Sequence, residues 1–213
     1  MPDMTGMNIS LEEGKLLVKL ARKAIVEWLK NKVRIDPPED VSERLRANAG
    51  VFVTLNRWDK GRSLRGCIGI PYPVKPLIEA TIEAAIDAAT GDPRFPPVKL
   101  DEMKYITVEV SVLTPPTEIK VADPTDYPKH IKIGVDGLIV EKGLFKGLLL
   151  PQVAVEWNMD PEEFLSNCCM KAGLPPDSWI SRDIKVSKFQ ALVFAEEEPD
   201  GNVREAMHPE DQV

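Results

Sequence analysis

The strand-forming stretches of this chain come in pairs joined by connections too short for a helical crossover. That spacing constrains the fold more than any other feature. Residues 51–55 (Val-Phe-Val-Thr-Leu) and 64–70 are separated only by the polar run 56–62, with Asp59-Lys60-Gly61 at its centre. Parallel neighbours need a crossover of a dozen residues or more, whereas antiparallel neighbours need only a turn. The spacing therefore predicts antiparallel pairing. Residues 105–113 alternate, with Ile106, Val108, Val110 and Val112 on one side and Thr107, Glu109 and Ser111 on the other. That is the pattern of a strand with one wetter face. Residues 131–135 and 138–140, joined by Asp136-Gly137, read as a further short hairpin, because glycine accepts positive φ. Strands are also expected over 144–150 and 187–197.

Helices separate these hairpins. Ser10 with Glu13 forms a capping box, followed by Leu16, Leu17, Leu20, Ala21, Ala24, Ile25 and Trp28 at helical spacing. A short helical turn is expected over 41–47. A second helix over 74–90 places Leu77, Ile78, Ile82, Ala85, Ile86 and Ala89 on one face, with Gly91 as its cap. Pro151 opens a short helix, and Asp160-Pro161-Glu162-Glu163 starts another that runs to about Ala172. The predicted class is α+β, an antiparallel-rich sheet flanked by helices, with a smaller second lobe. The larger lobe takes 9–116 and 151–198, the smaller one 117–150, and a polar tail covers 199–213.

The net charge of -7 disfavours general nucleic-acid binding, and the 43% hydrophobic content suits a globular core. No apolar run is long enough for a membrane helix and no signal-peptide pattern opens the chain, so a cytoplasmic location is expected. Cys67, Cys168 and Cys169 read as free thiols in a reducing compartment, and two histidines without a CxxC pair give little support to zinc. No cofactor is expected, since the phosphate-loop, dinucleotide-binding, zincin and nucleophile-elbow motifs are all missing.

The hexapeptide Leu64-Arg65-Gly66-Cys67-Ile68-Gly69 carries the clearest candidate chemistry. Glycine inside a strand marks a close approach of backbone or ligand. Strand alternation puts Arg65 and Cys67 on one face, where the arginine would favour a thiolate nucleophile; packing of a small apolar cysteine is the competing reading. His130 is the candidate base, since His208 lies in the tail, though a capping or surface role is the plainer alternative. Arg65 and Arg94 suit an oxyanion, or else pair with Asp87, Asp92 or Glu83. Cys168 and Cys169 sit on a helix with Phe164 and Leu165 and read as structural.

These blocks resemble the AMMECR family, whose hallmark is the hexapeptide at 64–69. Further matches are Val51-Phe52-Val53-Thr54, Asp92-Pro93-Arg94-Phe95-Pro96-Pro97, Leu113-Thr114, the segments 133–138 and 149–154, and 164–173 with its Cys168-Cys169 pair. The resemblance spans about 9–198 and points to an archaeal or bacterial member. It implies a two-lobed α+β fold with the hexapeptide lining the region between the lobes, association with a Memo-like or radical-SAM-like protein, and no established activity. The leading expectation is a binding or accessory protein with an interlobe cleft for a small polar ligand or a partner's chain end. Arg65, Gly66, Gly69, Arg94 and Phe95 would form that site. The alternative is a cysteine-dependent enzyme using Cys67 and His130 on a small substrate.

Overall fold

The computed structural model describes residues 9–206. It divides into two compact units. The first holds the described residues through Thr114 together with Leu192–Ala206, and the second is Pro115–Ala191.

In the first unit, helix α1 (Leu11–Asn31) begins at the Ser10 capping box, where Ser10 Oγ accepts from the Glu13 N–H and the Glu13 carboxylate accepts from the Ser10 N–H. It stops at Lys32, which turns into the left-handed region. The short α2 (Glu43–Arg46) precedes β1 (Gly50–Arg57) and β2 (Ser63–Ile70), then α3 (Leu77–Thr90) and β3 (Ile106–Leu113). β1 pairs antiparallel with both β2 and β3. Val51, Val53, Leu55, Val108, Val110 and Val112 are fully or almost fully buried in one core with the apolar faces of α1 and α3. The expected wetter face of β3 is a correction: Thr107 and Ser111 are buried as well.

The second unit contains β4 (Thr117–Glu118), a 3-10 helix over Pro124–His130, β5 (Gly137–Lys142), β6 (Phe145–Leu149), α4 (Pro151–Glu156), α5 (Pro161–Lys171) and β7 (Lys185–Phe189). Its antiparallel sheet runs β4-β7-β5-β6. Asp160 caps α5 by accepting from the Glu162 and Glu163 N–H groups at 2.9 Å. Phe164, Leu165, Cys168 and Cys169 on α5 are buried with Leu138, Val140 and Val186. This unit is longer than the expected 117–150 lobe, because β7 pairs with β5 and α5 packs on β5 and β6, which keeps 151–191 with it.

Two strand assignments also change. Residues 131–135 form no strand: Asp136 accepts from the Lys132 N–H at 2.9 Å and folds the segment into a turn, while the hairpin is β5–β6, turning at Gly143 with φ 59. The expected strand 187–197 is two strands in two sheets, β7 and β8 (Ala191–Glu196), parted by Gln190. β8 belongs to the first sheet, whose order is β2-β1-β3-β8-β9. Within the expected tail, β9 (Val203–Ala206) pairs antiparallel with β8, and His208 lies outside the described residues.

Candidate functional site

Strand β2 is an edge, so every second residue directs its N–H and C=O outward, where an unpaired edge invites another chain. At Cys67 both groups are taken by the loop after α3. The Cys67 N–H donates to Asp92 Oδ2 at 2.8 Å, and Arg94 Nη2 donates to the Cys67 carbonyl at 3.3 Å. Asp92 also accepts from Arg94 three times: the backbone N–H and Nε on Oδ1 at 3.0 Å, and Nη2 on Oδ2 at 2.7 Å. Proline at 93 stiffens the loop that sets this geometry.

These bonds hold the Asp92 carboxyl well below the usual carboxylate range, with the Arg94 side chain as the largest cause. Folded Asp92 therefore keeps its charge in acid where the unfolded chain takes up a proton. Its stabilisation is full above the ordinary aspartate pKa of about 3.9 and is lost as pH falls below it. Asp92→Asn should lower stability at neutral pH and flatten the acid limb of a stability–pH curve below about pH 4. A curve parallel to wild type would overturn this.

Arg65 does not share Cys67's situation. The register breaks between Leu55 and Asn56, which face Gly66 and Leu64, so Arg65 is the extra residue of a β-bulge. Its guanidinium is buried and committed. Nε and Nη2 grip both Glu102 oxygens at 3.1 Å, and Nη1 donates to the Pro96 carbonyl at 2.9 Å. The Phe95 ring lies between two arginines, 6.0 Å from Arg65 and 5.6 Å from Arg94. Of the expected arginine pair, Arg94 is the one presented outward: its side chain is 55% exposed, and Nη1 has no protein partner among the described residues.

The bracketing glycines answer to packing. A Cβ on Gly66 would meet the Ala88 carbonyl oxygen of α3 at 2.2 Å, and one on Gly69 would meet the Phe52 ring at 2.3 Å. The close approach that the hexapeptide signals is thus made by the protein's own helix and ring.

Cys67 stands across β1 from Thr54, whose hydroxyl lies 3.3 Å from Sγ, and Thr54 stands across from Glu109 on β3. Directly opposed residues project from the same face, so Cys67, Thr54 and Glu109 form one row. Burial pushes the Cys67 thiol above its ordinary value, outweighing the Thr54 hydrogen bond and the nearby Arg94 charge. Of the two readings of Cys67 this favours the small packed cysteine: Arg65 is neutralised by Glu102 and Arg94 by Asp92, and desolvation prevails. Burial likewise pushes the Glu109 carboxyl upward. Glu109, Thr54 and Asp92 were not singled out as site residues from sequence. Cross-strand register, which a single strand's alternation does not reveal, brings Thr54 and Glu109 into line with Cys67, and the loop after α3 brings Asp92.

His130 belongs to the second unit, where it is exposed and its carbonyl accepts from Lys188 Nζ at 2.9 Å. Cys168 and Cys169 are fully buried, and all three cysteines are free. Thiol counting should give three per chain in denaturant, with Cys67 the first to react in the native protein; a denatured count of one would refute this. Among the described residues no group of three or more His, Cys, Asp or Glu side chains is arranged to hold a metal, and no helix is long and apolar enough to cross a membrane.

The chain is similar over more than nine-tenths of its length to archaeal proteins. A Pyrococcus furiosus protein is 58% identical over 204 residues, covering 94% of this chain and 97% of that one. A Methanopyrus kandleri protein is 54% identical over 210 residues, covering 97% of this chain and all of its own. The crystal structure of an uncharacterised Pyrococcus horikoshii protein matches with a TM-score of 0.84 at 56% identity, covering 93% of this chain and 98% of that one. The AMMECR1 family model matches residues 18–194, which take in the hexapeptide, the Asp92–Arg94 loop and the Cys168-Cys169 helix. The chain belongs to the AMMECR1 family.

Proposed function

We propose that this is a binding or accessory protein that holds a small polar ligand, or a partner's chain end, on the sheet face around Cys67. The single observation that carries this reading is Arg94. Asp92 fixes the guanidinium on one side, while its other edge stays open to solvent beside the Cys67 side chain. A guanidinium fork held in place loses little freedom on gripping a planar oxyanion, and a carboxylate suits it. Phe95 offers a flat apolar wall next to it.

The thiol supports binding over nucleophilic chemistry, because a cysteine kept protonated is a poor nucleophile. A cysteine-dependent enzyme is the second reading, favoured by Glu109 in the Cys67–Thr54 row, since burial raises the basicity of its carboxylate. Equilibrium binding of hexanoate separates the two. On the binding reading, Cys67→Ala keeps affinity within about twofold, and Arg94→Gln loses roughly tenfold or more, the scale of one charge-assisted hydrogen bond. Unchanged affinity in Arg94→Gln would remove the anchor. A turnover found in the wild type and abolished by Cys67→Ala would establish the enzyme.

Association with a Memo-like or radical-SAM-like protein is proposed from the family alone. Co-purification from the native host is its test.

A further inference from the structure

Glu109 is a charge that Arg94's role leaves unused. It lies at the inner end of the Cys67–Thr54–Glu109 row, which crosses three adjacent strands. Strands in a sheet are about 4.8 Å apart, so the row spans about 10 Å from edge to interior. All three residues stay partly exposed, and on β3 Glu109 is the exposed position between buried Thr107 and Ser111 on the same face.

The charged groups that act on Glu109 are Arg62 and Arg204, both through space. Arg62 directs Nη2 to the Glu197 carbonyl at 2.6 Å and stacks on Trp58 at 4.7 Å. Arg204 lies exposed on β9, paired across from Ala195. Neither forms an ion pair with Glu109, and no described residue donates a hydrogen bond to it. The Glu109 carboxylate is half-buried and left to water for its hydrogen bonds, so a ligand donor can take its place without breaking a protein contact. An ammonium group brought by a ligand would supply three donors and the missing charge.

We propose that the ligand of this site is an amino-carboxylate whose carboxylate sits on Arg94 and whose ammonium sits on Glu109, with Cys67 and Thr54 as a neutral floor between them. This rests on the binding reading above. It narrows the ligand class to molecules that carry a carboxylate and an ammonium several bonds apart, such as ω-amino acids or a peptide chain that ends in lysine. The protonated thiol fits such a floor, since a thiolate beside Glu109 would repel the carboxylate end.

The test uses the native full-length protein and the rate at which iodoacetamide alkylates Cys67, read by peptide mass spectrometry. The probes are hexanoate, hexylamine, glycine and 6-aminohexanoate. In the wild type, 6-aminohexanoate should protect Cys67 at about tenfold lower concentration than hexanoate, the scale of one charge-assisted contact. Glycine, too short for both contacts, should gain nothing over hexanoate. Glu109→Gln, nearly isosteric, should erase the advantage of 6-aminohexanoate and leave hexanoate protection unchanged. The advantage should also fade in the wild type as pH drops, and at a higher pH than for an ordinary glutamate, because the contact needs the ionised carboxylate. Equal potency of hexanoate and 6-aminohexanoate in the wild type overturns the proposal while leaving Arg94 as an anchor. Absence of hexanoate protection, with or without Glu109, overturns the binding reading itself.

Discussion

Glu196→Ala should cost about 3–5 kcal/mol, the usual penalty for leaving one member of a buried ion pair without its partner. Arg22 on α1 grips both Glu196 oxygens through Nε and Nη2, and both side chains are buried. The same guanidinium donates to the Met103 and Ile106 carbonyls, and Glu196 Oε2 accepts the Val108 N–H at 2.9 Å. One pair thus joins α1, β3 and β8. Removing the carboxylate strands the charge of Arg22 and orphans a backbone donor together. Urea unfolding should show the loss as a lower midpoint with an unchanged slope. A change under about 1 kcal/mol would mean that water takes the carboxylate's place. Replacing both partners, Arg22→Met with Glu196→Leu, should recover much of the loss, because no charge is then left buried.

The second large effect is expected at Gly66. Valine has the higher strand propensity, so on propensity alone Gly66→Val would stabilise β2. The structure predicts the reverse. The new Cβ would sit 2.2 Å from the Ala88 carbonyl oxygen, which is helix backbone and has no rotamer to yield. Overpacking typically costs 1–3 kcal/mol, and about 3 is expected where backbone must move. Gly69→Ala should cost less, because its obstacle is the Phe52 ring, a side chain able to turn. Thermal unfolding of the two variants checks the order. Gly66→Val matching wild type would mean that α3 does not lie against the hexapeptide.

What could be read from the sequence was what local chemistry decides. The Ser10–Glu13 and Asp160–Glu163 boxes each close within three residues, and both occur where their spacing places them. The antiparallel pairing of β1 with β2 follows from a connection too short for anything else. What was misread depends on partners distant in sequence. The bulge at Arg65 appears only in the register against β1, and Glu102, which binds Arg65, comes from a segment beyond α3. Residues 131–135 have strand composition, yet the Asp136 carboxylate, held also by Lys188 on β7, folds them into a turn. Glu109 looked like an ordinary solvent-facing position because alternation assigns a face but not what lies across from it. The site followed the same rule: Cys67 and Arg94 could be picked out by type, while Thr54 and Glu109 are joined to Cys67 by strand register and Asp92 by a loop hydrogen bond.

The two divisions of the chain, after Thr114 and before Leu192, fall at the ends of β3 and β8, which are neighbours in the first sheet. Glu196 at the far end of β8 bonds Val108 near the start of β3, so the two strands run in opposite directions. The end of β3 and the start of β8 therefore lie side by side. In connectivity the second unit is inserted where a β3–β8 hairpin would otherwise turn, the kind of position at which domain insertion is tolerated. A tight turn in place of 115–191 would leave β3, β8 and β9 as an uninterrupted meander. Arg94, Cys67, Thr54 and Glu109 all belong to the first unit, so a chain with that turn in place of 115–191 would keep every residue of the proposed site.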